Sequence, residues 1–212
     1  MSEPITFEAF PKIPRYRREV AITEKIDGTN AAIRIRAMSD LPETGSPLPI
    51  AVYSYVDVHG TDLGMHGIWA QSRSQFITPE KDNYGFAGWV RRNAEELIKL
   101  GPGTHFGEWW GNGIQRGYGL KEKRFSLFNV ARWQPGQQTP PACCHVVPLL
   151  TYCTPDHIQD VLDMLIAHGS VAAPGYMKPE GVIIFHTQSR QLYKILLEND
   201  DIPKGLQRDS KG

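Results

Sequence analysis

The chain has 212 residues, of which 41% are hydrophobic and 22% charged, and this composition excludes disordered, collagen-like and coiled-coil proteins. Its 23 Lys and Arg residues balance 23 Asp and Glu residues, which excludes nucleic-acid binding through a general basic excess but not through a local basic groove. No apolar run is long enough to span a bilayer, the start lacks a secretory signal, and three cysteines favour a reducing compartment, so we expect a cytoplasmic protein.

Short segments with the alternation of β-strands dominate the chain. In the clearest, residues 31–37 (AAIRIRA), Ile33 and Ile35 lie on one face and Arg34 and Arg36 on the other. Similar segments predict further strands at residues 51–58, 104–110, 125–133, 146–153, 181–186 and 191–197. This many short strands is typical of a protein built on antiparallel sheets.

Two segments have the apolar periodicity of helices. Residues 86–100 place their apolar side chains near one face, and Gly101 ends the segment. Residues 155–168 follow Thr154, a residue type that caps helix N-termini, and precede Gly169, a typical C-terminal residue. The apolar face of this second helix consists of Ile158, Val161, Leu162, Leu165 and Ile166. Many strands with few helices predict an α+β fold.

One group of potential metal ligands follows the predicted loop at residues 134–141. It consists of Cys143, Cys144, His145, Cys153 and His157. The spacing matches none of the common zinc patterns, and Cys153 lies inside an apolar, strand-like segment, so the sequence disfavours a zinc site.

The segment Lys25-Ile26-Asp27-Gly28 carries the clearest indication of chemistry, and it lies between two strand-like runs. Gly28 allows a tight turn that would hold Lys25 facing a pocket. A lysine becomes a nucleophile when burial or nearby cations lower its pKa, and its amine can then attack the α-phosphorus of a triphosphate. By itself the tetrapeptide is equally typical of a surface turn.

Further segments strengthen the first interpretation. In chain order they are Ser72-Arg73, Phe106-Gly107-Glu108-Trp109, Phe125-Ser126-Leu127-Phe128, Glu180-Gly181-Val182-Ile183-Ile184 and Leu192-Tyr193-Lys194-Ile195. With the lysine segment they cover residues 20–197, and in kind and order they resemble the motifs of the covalent nucleotidyltransferases, which comprise ATP-dependent DNA and RNA ligases and mRNA capping enzymes. The resemblance implies an ATP-grasp-like nucleotidyltransferase domain spanning residues 1–212, with two twisted, mainly antiparallel sheets flanked by helices and ATP in the groove between them.

Within that superfamily the chain most resembles the RNA ligases that seal nicks in duplex RNA, found in phages and in kinetoplastid RNA editing. The pattern Gly107-Glu108, then Gly113-Ile114-Gln115, then Phe125-x-x-Phe128 is similar to theirs. DNA ligases usually carry Arg two residues after the glycine of the lysine motif, whereas this chain has Asn30, as those RNA ligases do.

The resemblance also implies roles for individual residues. It assigns catalysis to Lys25, Asp27, Glu180 and Lys194, binding of ATP to Glu24, Lys25, Glu108, Phe128, Glu180 and Lys194, and contact with the nucleic acid to Asn30, Arg73 and Arg116. Lys25 would form a phosphoramide with AMP, while Glu180 would orient that lysine or hold Mg²⁺ or Mn²⁺, in part through water. Phe128 would stack on the purine.

Each of these side chains has a plainer interpretation as well. Phe128 is of the type that fills a core, Glu108 and Glu180 could be surface carboxylates at strand ends, and Arg73 could be solvated. These alternatives stay open at the level of the sequence.

Two departures from the family pattern affect the expected function. The fifth motif usually has two lysines, whereas here Lys194 stands alone between Leu192 and Leu196. No segment resembles the additional domain that most such ligases carry, so we expect either a minimal ligase or one in which a protein partner replaces that domain. The expected function is an ATP-dependent RNA ligase joining 3′-hydroxyl and 5′-phosphate ends, in nicked duplexes or broken RNA. The alternatives are a minimal DNA ligase and a nucleic-acid end-binding module that has lost turnover.

Overall fold

The computed structural model of the protein describes residues 5–42, 44–133 and 136–201. The strands in these residues are β1 (Val20–Lys25), β2 (Thr29–Ala37), β3 (Ala51–Val56), β4 (Asp62–Ser72), β5 (Phe76–Ile77), β6 (Gly103–Gly111), β7 (Lys123–Leu127), β8 (His145–Val146), β9 (Leu149–Cys153), β10 (Gly181–His186) and β11 (Gln191–Leu196). The α-helices are α1 (Phe86–Arg92), α2 (Ala94–Leu97) and α3 (Ile158–His168), and short 3₁₀ turns cover Met38–Asp40, Ile98–Leu100 and Pro155–His157.

The smaller of two sheets carries the lysine motif. Its four strands lie in the order β11-β10-β1-β9, and its paired strands are antiparallel. Val20 and Ile22 of β1 and Val182 and Ile184 of β10 pack with Leu165 of α3 in one apolar cluster. Because side chains alternate along a strand, α3 covers one face of this sheet and Lys25 lies on the other.

The larger sheet contains the main core of the protein. Its strands lie in the order β3-β4-β2-β6-β7-β8, with β5 paired to β4, and the β7–β8 pair is parallel. Ile33 and Ile35 are buried with α1 and α2, as their alternation predicts. The ring centroid of Phe86 lies 5.4 Å from that of Trp109 and 5.1 Å from that of Phe125, so three aromatic rings fill the centre of this layer.

The two sheets meet at a small apolar cluster of Ile26, Trp110, Tyr118, Val147 and Ala173. Ile26 directly follows β1, and Trp110 lies on β6 opposite Arg124 of β7. The charges of Lys25 and Glu180 act on the carboxyl group of Glu108, so the Lys25 face of the small sheet and the Glu108 face of the large one are turned towards each other, and we call the space between them the groove. In the part of the chain that the structure describes, no helix is long and apolar enough to cross a membrane.

The α+β prediction with two mainly antiparallel sheets is confirmed, but several predicted boundaries differ. The predicted helix 86–100 is interrupted at Asn93, whose side-chain amide donates to the carbonyl of Trp89 at 2.8 Å and competes with the helical backbone. The predicted strand 146–153 is split at Pro148, which has no N–H to donate to a neighbouring strand.

Three further predictions also need correction. The predicted strand 125–133 ends at Leu127. Thr154 precedes the helical segment, but its hydroxyl makes no capping hydrogen bond. Ile166 is 59% exposed and lies outside the core, since α3 packs through its buried residues Val161, Leu162 and Leu165, with Ile158 and Met164 partly buried beside them.

Candidate active site

Lys25 is the last residue of β1 and projects into the groove. Its Nζ forms an ion pair and hydrogen bond with the carboxylate of Glu180, the residue just before β10. The two side chains are 17% and 5% exposed, so the pair is largely removed from water. A charge-assisted hydrogen bond in such a place fixes the direction of the lysine amine.

Gly28 lies against β6, and this contact joins the lysine motif to the large sheet. Its N–H donates to Oε1 of Glu108 at 3.1 Å. A Cβ at this position would lie 2.5 Å from the carbonyl oxygen of Trp109 and 2.7 Å from Cβ of Trp110. Gly28 lies at a bend between β1 and β2, but its φ is not positive, so glycine is required here because no side chain fits.

Asp27 connects the lysine motif to the loop between β6 and β7. Its carboxylate accepts a hydrogen bond from Nε of Arg116 at 3.1 Å, and Nη1 of Arg116 donates to the carbonyl of Lys178 at 3.0 Å. The backbone N–H of Asp27 donates to the hydroxyl of Tyr118 at 2.8 Å. The guanidinium of Arg116, which was expected to contact nucleic acid, ties Asp27 to the segment before Glu180 in this structure.

Tyr118 was not among the residues expected at the site. It lies in the loop between β6 and β7, where Gln115 and Tyr118 adopt the left-handed conformation with φ of 45° and 52°. Burial raises the pKa of the Tyr118 hydroxyl, which therefore stays protonated. The signal in the sequence is the density of glycines between Gly111 and Gly119, which indicates an irregular backbone with a specific shape.

Glu108 lies on β6 opposite Asn30 of β2, close to both members of the Lys25–Glu180 pair. Burial raises the pKa of its carboxyl group to about 7, while the positive charge of Lys25 acts in the opposite direction. The charges of Glu180 and Asp27 add to the increase. Glu108 and Glu180 thus both lie near the one amine of Lys25, an arrangement suited to receiving a further cation.

Glu24 is adjacent to Lys25 but faces away from the groove. Its carboxylate accepts hydrogen bonds from the hydroxyl of Ser170 and from the backbone N–H groups of Val171 and Ala172, the latter two at 2.8 Å. The side chain is 1% exposed. The expectation that this carboxylate binds the nucleotide needs correction, because all its contacts secure the segment after α3.

The register of the small sheet identifies the other residues of the groove. Ile183 pairs with Thr23 on one side and with Lys194 on the other, and paired residues share a face. Thr23 and Lys25 are two residues apart on β1, so Ile183 and Lys194 lie on the lysine face. Ile183 was missed because its apolar segment reads as core. Lys194 is exposed on the edge strand β11.

Phe128 lies across the groove. It directly follows β7, and its N–H donates to the carbonyl of Phe106 at 3.0 Å. Phe128 is two residues after Ser126, so the two side chains lie on the same face of the sheet. Glu108 also lies on this face, because it pairs with Ser126 across β6 and β7. The ring of Phe128 is 38% exposed, so it is available for stacking rather than enclosed in the core.

The family model described as RNA ligase matches residues 18–196, a range that includes every residue placed in the groove above. The chain belongs to the RNA ligase family. A comparison with curated proteins finds no match.

Solved structures similar to this RNA ligase family member include variants of the Naegleria gruberi RNA ligase. Two of them, solved with ATP and manganese, are 17% identical to this chain, with TM-scores of 0.53 and 0.51, and the alignments cover 86% of this chain and 51% of theirs. An apo variant is 20% identical with a TM-score of 0.50 over 86% and 50% of the two chains. The likeness shows the shared fold, and this chain spans about half the length of those proteins.

The structure places the two residues expected to contact nucleic acid at the same end of the large sheet of this RNA ligase fold. Asn30 faces the same side of the sheet as its partner Glu108. Arg73 is exposed at the turn between β4 and β5, where the backbone of Ser72 pairs with Gln75. Ser72 also pairs with Ala31 of β2, so Arg73 lies one strand away from the Asn30 segment.

The carboxylates of the groove fit a divalent cation that takes most of its ligands from phosphate oxygens and water rather than from the protein. Within residues 5–42, 44–133 and 136–201, no three His, Cys, Asp or Glu side chains come together as a complete metal site. Mg²⁺ commonly takes one or two carboxylates and completes its shell with phosphate oxygens and water. Glu180 and the desolvated Glu108 could supply those carboxylates.

Proposed function

We propose that this chain is the nucleotidyltransferase domain of an ATP-dependent RNA ligase, which joins 3′-hydroxyl and 5′-phosphate ends through a lysyl-AMP intermediate. The observation that carries the proposal is the half-buried Lys25, held by Glu180 at the mouth of a groove between two sheets in a chain of the RNA ligase family. A lysine on an ordinary surface turn has neither a buried acidic partner nor a groove before it.

The first step uses Lys25 and Glu180. The amine of Lys25 attacks the α-phosphorus of ATP, the bond to pyrophosphate breaks, and the nitrogen loses a proton as the phosphoramide forms. Glu180 already accepts a hydrogen bond from Nζ, which supports a role as the acceptor of that proton. The bound Mg²⁺ or Mn²⁺ would neutralise phosphate charge in this step.

The nucleotide itself would lie across the groove. Phe128 on the large sheet and Ile183 on the small one offer two apolar surfaces between which a purine can stack. Glu108 is suited to accept hydrogen bonds from ribose hydroxyls. Lys194, on the same face as Lys25, supplies one cation for the phosphates. The solved relatives that contain ATP and manganese support this choice of ligands.

In the later steps AMP passes to the 5′-phosphate, and the 3′-hydroxyl then attacks that phosphate and releases AMP. Asn30 is on the groove face beside Glu108 and supports contact with the reacting end. Arg73, exposed at the β4–β5 turn, is suited to hold a phosphate of the acceptor strand. The RNA substrate, the cytoplasmic location and a protein partner that helps to grip RNA belong to this proposal, with DNA as the competing substrate.

Covalent labelling tests the proposal directly. The wild-type chain is incubated with α-labelled ATP and Mg²⁺, and protein-bound label is measured after denaturation. We expect a labelled protein that disappears in Lys25→Ala and also in Lys25→Arg, because a guanidinium stays protonated and cannot attack phosphorus. Lys99→Ala is the matched control, since Lys99 is an exposed lysine whose amine pairs with Glu96 far from the groove.

Labelled protein in Lys25→Ala would contradict the assignment of the nucleophile. A wild-type chain that binds RNA ends but never acquires label would favour the end-binding module instead. Equal sealing of nicked DNA and nicked RNA by the labelled protein would remove the preference for RNA.

A further inference from the structure

The groove face of the large sheet extends well beyond the nucleotide site. Along β2 the residues on this face are Asn30, Ala32, Arg34 and Arg36. Alternate residues of a strand lie about 6.6 Å apart, so Arg36 is about 20 Å from Asn30. The helices α1 and α2 cover the opposite face of this sheet, where Ile33 and Ile35 are buried.

Two guanidinium groups lie in succession along this path. Arg34 donates to the hydroxyl of Thr104 at 3.2 Å, and Arg36 donates to the backbone carbonyl of Asp40 at 2.8 Å. Both bonds orient the arginines without neutralising them, because the acceptors are uncharged. Within residues 5–42, 44–133 and 136–201, neither Arg34 nor Arg36 has a salt bridge. Both therefore offer unpaired positive charge to a ligand.

An exposed aromatic ring lies between the arginines and the nucleotide site. Phe106 pairs with Ala32 across β6 and β2 and is 55% exposed, in the middle of a sheet rather than at its edge. Its neighbour on the other side is Phe128, whose backbone N–H donates a hydrogen bond to the backbone carbonyl of Phe106. A single exposed phenylalanine is common on a protein surface, but Phe106 and Phe128 are adjacent and both exposed, and a contiguous apolar patch is typical of a binding surface.

A cavity of about 350 Å³ lies at the far end of the path, where β2 ends. Arg34, Arg36 and Thr104 line it from the path, and the rest of its lining consists of Ile35, Ala37, Asp40, His66, Pro102 and Gly103. Trp69, the partner of Arg34 on β4, is fixed beside the path by a hydrogen bond from its Nε1 to the carbonyl of Pro47 at 2.8 Å. Trp69 therefore borders the path on one side, and the path is about as wide as one strand of the sheet.

We propose that this path, which we name the β2 track and define as Phe106, Arg34 and Arg36, binds a single strand of RNA next to the break. The proposal rests on the function proposed above and specifies its substrate class as ends with an unpaired extension. Phe106 stacks on a base, while Arg34 and Arg36 contact successive phosphates. A base that is paired in a duplex has no free face for Phe106, so the ring selects unpaired bases.

The chemistry of the track favours RNA over a protein partner. Guanidinium groups at regular intervals match the regular phosphates of a polynucleotide, and one exposed ring among them matches a base. A protein interface of this kind would need an apolar centre, whereas here the residues around Phe106 become increasingly basic with distance from the groove. The continuity with the Asn30–Glu108 pair also places the track where a reacting strand must enter.

Binding of a fluorescent single-stranded oligoribonucleotide tests the track. Three variants are compared with wild type: Phe106→Ala, Phe106→Leu and the double variant Arg34→Gln/Arg36→Gln. The matched control is Arg91→Gln/Arg92→Gln, which removes two exposed arginines from α1 on the covered side of the same sheet. Affinity is measured from low to physiological salt, with a blunt RNA duplex as the second probe and lysyl-AMP formation as a separate readout.

We expect Phe106→Ala to weaken single-strand binding by about 5- to 100-fold without changing its salt dependence, and Phe106→Leu to weaken it as well, because the stacking face is lost. The double variant should reduce the slope of log affinity against log salt by about 1.4, or 0.7 for each lost phosphate contact. Blunt-duplex binding and lysyl-AMP formation should stay at the wild-type level.

Single-strand binding equal to wild type in the Phe106 and double variants would overturn the proposal, as would an equal loss in the Arg91→Gln/Arg92→Gln control. A fall in lysyl-AMP formation as large as the loss of single-strand binding in these variants would also overturn the proposal, because it would assign the residues to the nucleotide pocket. Failure of the proposed function gives a different result, namely no lysyl-AMP in wild type, and the binding arm still reports on the track in that case.

Discussion

Glu108 connects the chemistry of the groove with the stability of the fold. Its carboxyl group accepts a hydrogen bond from the N–H of Gly28 and is desolvated, and burial raises its pKa to about 7 from the ordinary value of 4.5. Between these two values the folded protein binds a proton that the unfolded chain has released. The stability contributed by this group therefore falls as pH rises through that window.

Glu108→Gln should remove this dependence, because the amide oxygen can still accept from Gly28 and carries no charge. We expect the variant to gain stability relative to wild type as pH rises from about 5 to about 8, by up to about 3 kcal/mol. Urea unfolding of both proteins at the two pH values measures the difference. Glu95→Gln, on the exposed side of α2, is the control, and parallel curves for Glu108→Gln and wild type would show that the pKa is not raised.

At the scale of an element, β1 serves two purposes through adjacent residues. Lys25 projects into the groove, while Glu24 projects to the other side and fixes the segment after α3 through three hydrogen bonds. The alternation of a single strand thus separates a functional side chain from a structural one. Glu24 and Lys25, although adjacent in the sequence, therefore have different roles.

Glu24→Ala should mainly affect stability. It leaves the Ser170 hydroxyl and two buried N–H groups without their acceptor, and we expect the free energy of unfolding to fall by about 3 kcal/mol. Denaturant unfolding measures this loss, and ATP labelling well below the midpoint measures the chemistry. The variant should still form lysyl-AMP, whereas Lys25→Ala should be stable and unlabelled. Loss of label without loss of stability in Glu24→Ala would instead assign its carboxylate to the nucleotide.

At the scale of the whole molecule, the even charge balance limits how the chain can hold a polynucleotide. Several basic residues near the site are already engaged: Arg116 with Asp27, Lys123 with the carbonyl of Tyr84, and Arg124 with Glu122 and the face of Trp110. Affinity for a strand must therefore come from few contacts, such as Arg73 and the β2 track.

End joining should accordingly be more sensitive to salt than adenylylation. Each phosphate contact contributes about 0.7 to 0.9 to the slope of log affinity against log salt, so joining at limiting enzyme should fall steeply between low and physiological salt. Lysyl-AMP formation needs only ATP and Mg²⁺ and should change much less. Joining yields at increasing salt, measured beside labelling yields, test this. Joining that stays constant would require an additional binding surface.

The sequence by itself determined the parts of this protein that depend on local pattern. Alternation placed Ile33 and Ile35 in the core and Arg34 and Arg36 outside it, and the order of short motifs indicated the RNA ligase family before any coordinates. It did not reveal β4 as a strand. Gly64 and Gly67 make the sequence of β4 resemble a loop, yet the strand is stabilised by pairing with β2 and β3 on its two sides.

Only the tertiary structure decided which residues share the groove. The reason is that residues far apart in the chain meet through the pairing of distant strands, as Lys25 does with Glu180 beside the Lys25–Gly181 pair, or through the packing of loops, as Asp27 does with Arg116. It also decided which face each side chain occupies. Glu24 is buried away from the groove and Phe106 is open to solvent, because alternation gives two faces to every strand and only the packing of α3, α1 and α2 determines which one is covered.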